Sequence, residues 1–289
     1  MLRARRFALT DIILDALIDT FKLIPFLFIA YLAIEIIEDR AEEKTIELVN
    51  RAGRLGPVIG GALGVIPQCG FSAATSNLYA GGIISRGTLL AVFLSTSDEM
   101  LPILLSHSVP GSFIIKVLLY KVTAGIIAGL IIDTVEKKIG GVNDRHIHDM
   151  CEREGCKCED GVFKSAVIHT AKIALFLLVM NFIIGLVIEY VGSDTLSGLI
   201  LNKPVAGELI SGLIGLIPNC AASVVITELY LEGGMSLGAM LSGLLAGSGV
   251  GLMVLFRMDG NRRDCLINLG VLYVSGVVFG LIANLLPIA

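Results

Sequence analysis

The chain has 289 residues, 55% of them hydrophobic and 17% charged, with a mean hydropathy of +0.84 and a formal net charge of −4. Soluble domains carry about a quarter charged residues, so this composition points away from water and towards lipid. The charges sit in loops and form no basic patch, which argues against a nucleic-acid partner, and six cysteines in a chain of this length do not make a disulfide framework.

Apolar stretches long enough to span a bilayer recur from end to end. Arg3, Arg5 and Arg6 precede the first, which runs from about Ile12 to Ile37. Asp11, Asp15 and Asp19 interrupt its start and no small-residue cleavage site follows, so it reads as a spanning helix and not as a signal peptide. The charged stretch Glu38 to Arg54 has apolar residues at helical spacing and reads as a surface helix. Leu55 to Ile84 is interrupted by Pro67-Gln68-Cys69-Gly70, which makes it either two short helices or a re-entrant hairpin with its tip at membrane depth. Gly87 to Ser106 and Ser112 to Asp133 follow. After the hydrophilic stretch Glu136 to Gly161 the pattern restarts with Val162 to Val191, Val205 to Leu231 around Pro218-Asn219-Cys220, Ser236 to Phe256, and Cys265 to Ile288.

The two halves match at an offset of 151 residues. Gly64-Val65-Ile66-Pro67-Gln68-Cys69 falls on Gly215-Leu216-Ile217-Pro218-Asn219-Cys220, and 18 of the 49 positions from Gly56 to Leu104 are identical. Ser72 meets Ser223, Tyr79 meets Tyr230, Ser85 meets Ser236, and Gly125 and Gly129 meet Gly276 and Gly280. General apolar likeness does not align Pro, Cys, Ser and Tyr, so the sequence predicts a repeat. An odd number of crossings per half, three or five, makes the second copy enter from the opposite face. The expected architecture is therefore all-α: about ten helices in two inverted five-helix repeats with broken or re-entrant Pro-x-Cys helices. Residues 1–135 form the first repeat, 136–161 the His/Cys-rich linker and 162–289 the second. Lys and Arg number fourteen on the side opposite the N-terminus and five on the N-terminal side. The positive-inside rule then puts the linker in the cytoplasm of a multi-pass inner-membrane protein.

Three constellations carry chemistry. The first is the pair of tips. Pro frees backbone carbonyls from the helix ladder, and each tip adds an amide and a thiol: Gln68 and Cys69, then Asn219 and Cys220. Ser72 and Ser223 lie three residues after each Cys on the same helix face. Inverted symmetry brings both tips into one substrate site; taken singly, each would read as a kink beside a buried apolar Cys.

The second is Ser97-Asp98-Glu99 inside an apolar segment, where ionisable groups line pathways for cations or protons; the bland alternative is a surface loop. Glu228, Asp19 and His169 are weaker members of the same class, and Asp15, Lys22 and Lys172 accompany them near the starts of the two first helices. The third is the linker, with His146, His148, Cys151, Cys156 and Cys158, a ligand set suited to Zn(II), Cu(I) or a trivalent metalloid. It matches no standard zinc module. No phosphate loop, nucleotide fingerprint or nucleophile motif is present, so neither an enzyme nor an ATP-driven pump is expected.

Ile66-Pro67-Gln68-Cys69-Gly70-Phe71-Ser72-Ala73-Ala74, Leu78-Tyr79, Ala91 to Pro102, the His/Cys linker and His169-Thr170-x-Lys172 resemble the ten-helix heavy-metal exporter family. That family is related to the arsenic permeases, and some of its members are labelled manganese transporters. The resemblance implies export of a metal or metalloid across the lipid bilayer, with no cofactor beyond the metal transported or sensed, and with homo-oligomerisation left open. Cys69 and Cys220 favour a thiophilic substrate of the arsenic type; Asp98, Glu99, Gln68 and Asn219 suit Mn(II). Gly70 and Ala221 stand where arsenic permeases often have a further Ser-Cys, which puts a three-thiol site in doubt. The resulting expectation is a secondary-active exporter working by alternating access and coupled to protons. Its alternatives are a carrier of an organic or sulfur-containing solute, and a metal-binding membrane sensor without flux.

Overall fold

A computed structural model describes residues 55–65, 69–96, 100–139, 162–191 and 205–286, with a set of positions between 13 and 32. The described residues form helices and no strands. They are α1 (Gly56–Leu63), α2 (Cys69–Ala80), α3 (Arg86–Ser95), α4 (Met100–Ser106), α5 (Gly111–Ile139), α6 (Val162–Val191), α7 (Ala206–Gly215), α8 (Cys220–Leu231), α9 (Leu237–Ala246), α10 (Gly251–Met258) and α11 (Arg262–Ala283). Among the described residues, four stretches are long and apolar enough to cross a membrane: Arg86–Ser106, Gly111–Lys138, Leu237–Met258 and Arg262–Ala283. The expected all-helical, multi-pass membrane fold holds.

Helix starts recur at the offset of 151 residues: Cys69 and Cys220, Arg86 and Leu237, Met100 and Gly251, Gly111 and Arg262. The local chemistry recurs with them. Gly82 and Gly233 adopt φ of 74° and 77°, a left-handed turn that glycine enters without Cβ strain, and each ends its helix there. Ser85 and Ser236 then cap α3 and α9, accepting hydrogen bonds from the backbone N–H groups of Thr88 and Ala239. The N–H of Gly87 donates to Asp133 Oδ1 at 2.8 Å, and that of Gly238 to Asn284 Oδ1 at 2.9 Å. Asp133 and Asn284 are again 151 apart.

Glycine sets the helix spacing. A Cβ on Gly129 would stand 2.5 Å from the Gly87 carbonyl oxygen, and one on Gly280 would stand 2.7 Å from that of Gly238. Backbone therefore meets backbone where α5 crosses α3 and where α11 crosses α9. Gly129→Leu and Gly280→Leu are each expected to lower the thermal midpoint of the purified protein, by an overpacking cost of about 1–3 kcal/mol or more.

The short helices α3 and α9 are buried along almost their whole length. The long helices α5 and α11 turn Ile115, Leu119, Ile131, Leu266, Val274 and Val278 outwards, an apolar face suited to lipid. A second core gathers Leu27, Ala73, Ile173, Leu177, Val254 and Met258, so Leu27, α6 and α10 pack with α2.

Two features differ from the sequence reading. Ser236 to Phe256 reads as one span, but the helix stops at Ala246 and restarts at Gly251. Gly247, Ser248 and Gly249 are poor helix formers, and Gly249 takes φ of 53°. Similarly, α3 ends at Ser95 with Thr96 in a non-helical conformation, and α4 begins at Met100. At its C-terminal end, α5 runs on to Ile139, four residues into the stretch read as linker. The two short pairs, α1–α2 and α7–α8, have helices of 8 to 12 residues. At 1.5 Å per residue these are about 12–18 Å long, too short to cross about 30 Å of hydrocarbon upright.

Candidate functional site

Three interruptions meet at one small pocket. It is lined by Thr96 at the end of α3, Gly215 at the end of α7, Asn219 and Ser223 at the start of α8, and Gly247 and Gly249 after α9; Lys121 enters from α5. Its free interior holds an occupant about the size of a water molecule. Glycine keeps the walls close to main chain. A Cβ on Gly215 would stand 2.1 Å from the Gly243 carbonyl oxygen, so α7 and α9 touch through backbone. A Cβ on Gly247 would lie 3.3 Å from the Gly243 oxygen, 3.6 Å from that of Gly215 and 3.7 Å from that of Leu244. Carbonyl oxygens from two helix ends thus converge beside the pocket.

Asn219 is extended (φ −148°, ψ 146°), and its side-chain oxygen accepts from the N–H of Ala221 at 2.9 Å, capping α8. Pro218 precedes it and cannot continue a helix, which explains why α8 starts afresh here. Lys121 is 1% exposed. Its Nζ donates to the carbonyl of Thr96 and to that of Leu244, the latter at 2.9 Å.

Asn219 and Ser223, two of the residues singled out from sequence, are therefore on one pocket. Ser72 is fully buried elsewhere: its Cβ would stand 2.8 Å from a Cβ on Gly251, where α2 crosses the start of α10. There Ser76 Oγ donates to the Gly251 carbonyl at 2.7 Å. Glu228 lies exposed on α8. Cys69 and Cys220 are the first residues of α2 and α8, but their side chains lie outside the described residues, as does that of His169. Gln68, Ser97, Asp98, Glu99 and Asp19 lie outside them too, as do the linker residues His146, His148, Cys151, Cys156 and Cys158. Among the described residues no group of three His, Cys, Asp or Glu side chains is placed to hold a metal.

Sequence reasoning passed over two things. One is Lys121, a cation within an apolar helix. The other is a polar cluster joining the two halves. Asp264 accepts from Tyr79 Oη at 2.9 Å, from Asn268 Nδ2 at 3.0 Å and from the Arg86 guanidinium. Arg86 also donates to Tyr79 Oη at 3.2 Å and pairs with Glu136 at 3.2 Å. At the positions equivalent to Tyr79 and Asp264, Tyr230 and Phe113 stack with ring centroids 6.0 Å apart and planes 4° from parallel. The partners that join the two halves are 178 to 189 residues apart, so only the fold brings them together.

Comparison with known proteins gives one match. Residues 8–197, about two thirds of the chain, match the family described as "Putative, 10TM heavy-metal exporter". No curated protein and no solved structure matches the chain. The matched segment contains Pro67 to Cys69, Ser97 to Glu99 and the His/Cys stretch, residues on which the resemblance rests, and Lys121 as well. By this match and by its apolar helices, the chain belongs to the ten-transmembrane heavy-metal exporter family.

Proposed function

We propose that the chain is a secondary-active exporter of a heavy metal or metalloid, working by alternating access and coupled to protons. The observation that carries this reading is the meeting of three helix interruptions at one pocket lined by Asn219 and Ser223. Irregular backbone at membrane depth is tolerated where it lines a cavity, and broken helices are where secondary transporters bind their cargo. The recurrence of helix bounds and caps at an offset of 151 residues supports two copies of one unit; an odd number of crossings in each makes them inverted. In this reading Gln68, Cys69, Asn219, Cys220 and Ser223 bind the substrate, and Ser72, packed against Gly251, is left out of the site. Asp98, Glu99 and Ser97 carry the coupling charge, with Asp19, His169 and Glu228 on the proton route. The linker captures metal on the cytoplasmic side of the inner membrane.

The test is total cellular metal and arsenic content in cells lacking their own efflux systems, challenged with a panel of elements. Wild type is expected to lower one element selectively. Loss of that effect in a Cys69→Ser/Cys220→Ser double variant assigns thiophilic, arsenic-type cargo. Loss in Asp98→Asn alone assigns an oxygen-preferring ion such as Mn(II). No change in any element, with the protein in the membrane, removes the exporter reading in favour of an organic-solute carrier or a sensor.

A further inference from the structure

The geometry points to Lys121 as a cation built into the chain at the position where a separate coupling ion would otherwise bind. Its ammonium sits between the C-terminal ends of two interrupted helices, α3 through the Thr96 carbonyl and α9 through the Leu244 carbonyl. The last carbonyls of a helix lack intrahelical donors, and each helix C-terminus carries about half a negative charge. Two such ends facing one point amount to about one elementary charge, which a single ammonium balances. Unwound carbonyls and half-helix C-termini are also the groups with which secondary transporters hold Na⁺. The site therefore has the ligand chemistry of a monovalent-cation site, and the chain fills it with its own side chain.

The bland reading is that the lysine is simply needed to close this helix crossing. The second copy argues against it. The residue 151 positions on is Leu272, fully buried at the matching point of α11, where the crossing closes with an apolar side chain. The charge is particular to the half whose α5 reaches the pocket. Lys121 also touches both halves at once, α3 of the first and α9 of the second, so its hold on the two carbonyls ties the pocket's opposite walls together. The consequence is a carrier whose folded state, and whose cycle under the exporter reading on which that part rests, needs no Na⁺ or K⁺.

The test uses the full-length protein purified in detergent and needs no transport, so it stands or falls separately from metal export. Thermal midpoints are measured in sodium, potassium, ammonium and choline chloride at equal ionic strength. Wild type is expected to melt within about 1 °C in all four salts, because Lys121 already occupies the site on which linkage would act. Lys121→Ala is expected to melt roughly 5–10 °C lower in choline, and to regain at least about half of that loss in one of the three small cations. Lys121→Met, which keeps the stem and loses the charge, is expected to fall without telling the salts apart. Specific stabilisation of wild type by Na⁺ or K⁺ over choline would overturn the proposal. So would a folded Lys121→Ala that melts alike in all four salts. Should Lys121→Ala not fold in any salt, the wild-type comparison decides alone.

Discussion

Asp264→Ala is expected to lower the thermal midpoint by roughly 10 °C, the largest loss of any single polar substitution among the described residues. The carboxylate is the shared acceptor for Tyr79, Asn268 and Arg86, donors that come from α2, α11 and α3. Tyr79 and Asn268 are almost fully buried, and the Asp264 side chain is 10% exposed. Removing it leaves three donors facing an apolar methyl and takes one of the two carboxylates from Arg86, which keeps Glu136; breaking a buried ion pair typically costs about 3–5 kcal/mol. Arg86→Met should cost less, because Asp264 keeps the Tyr79 and Asn268 donors. The double variant Arg86→Met/Asp264→Ala should melt above Asp264→Ala, since both charges leave together. A double variant as unstable as the sum of the singles would mean that the cluster is not coupled as its geometry implies.

The second large effect is on transport. Gly247→Ala is expected to keep the fold while reducing export by about tenfold, equivalent to about 1.4 kcal/mol of lost substrate binding. Gly247 has φ of −74°, which any residue adopts, and the nearest atom to a Cβ there is the Gly243 carbonyl oxygen at 3.3 Å, a tight contact that a small shift relieves. The added methyl group then takes up the water-sized interior beside Asn219 and Lys121. Gly215→Ala is the control of opposite kind: its Cβ would stand 2.1 Å from the Gly243 oxygen, so it should fail in expression and thermal stability before transport is assayed. Metal efflux from loaded cells, with membrane levels of each variant measured in parallel, separates the two. Undiminished efflux by Gly247→Ala would remove this pocket from the substrate's path.

Much of the fold could be read from the sequence because its signals are local. Pro67 and Pro218 announce helix interruptions, and the structure ends α7 and starts α8 around Pro218. Ser85 and Ser236, read only as aligned positions, prove to be caps. The break after Ala246 escaped because Gly, Ser and Gly within an apolar run look like close helix packing, the role that Gly276 and Gly280 do play. The site was half legible. Asn219 and Ser223 follow from the Pro-x-Cys tip, whereas Lys121 is separated from its acceptors by 25 and 123 residues. Nothing local to Lys121 says that two carbonyl ends will meet there. Spacing along α2 likewise aligned Ser72 with Ser223, yet Ser72 packs against Gly251, because α2 crosses α10 where α8 borders the pocket.

The backbone contacts at glycine have a statistical signature. Where Gly64, Gly87, Gly125 and Gly129 meet carbonyl oxygens or side chains of crossing helices, almost no other residue fits, and Gly215, Gly238, Gly276 and Gly280 are held in the same way. Outward positions such as Ile115 and Leu266 accept any apolar side chain. A map of substitution tolerance along the whole chain should therefore correlate with itself at a lag of 151 positions. The correlation should lapse at Lys121 and Leu272, at Asp264 and Phe113, and at Arg86 and Leu237, where the aligned positions carry different side chains.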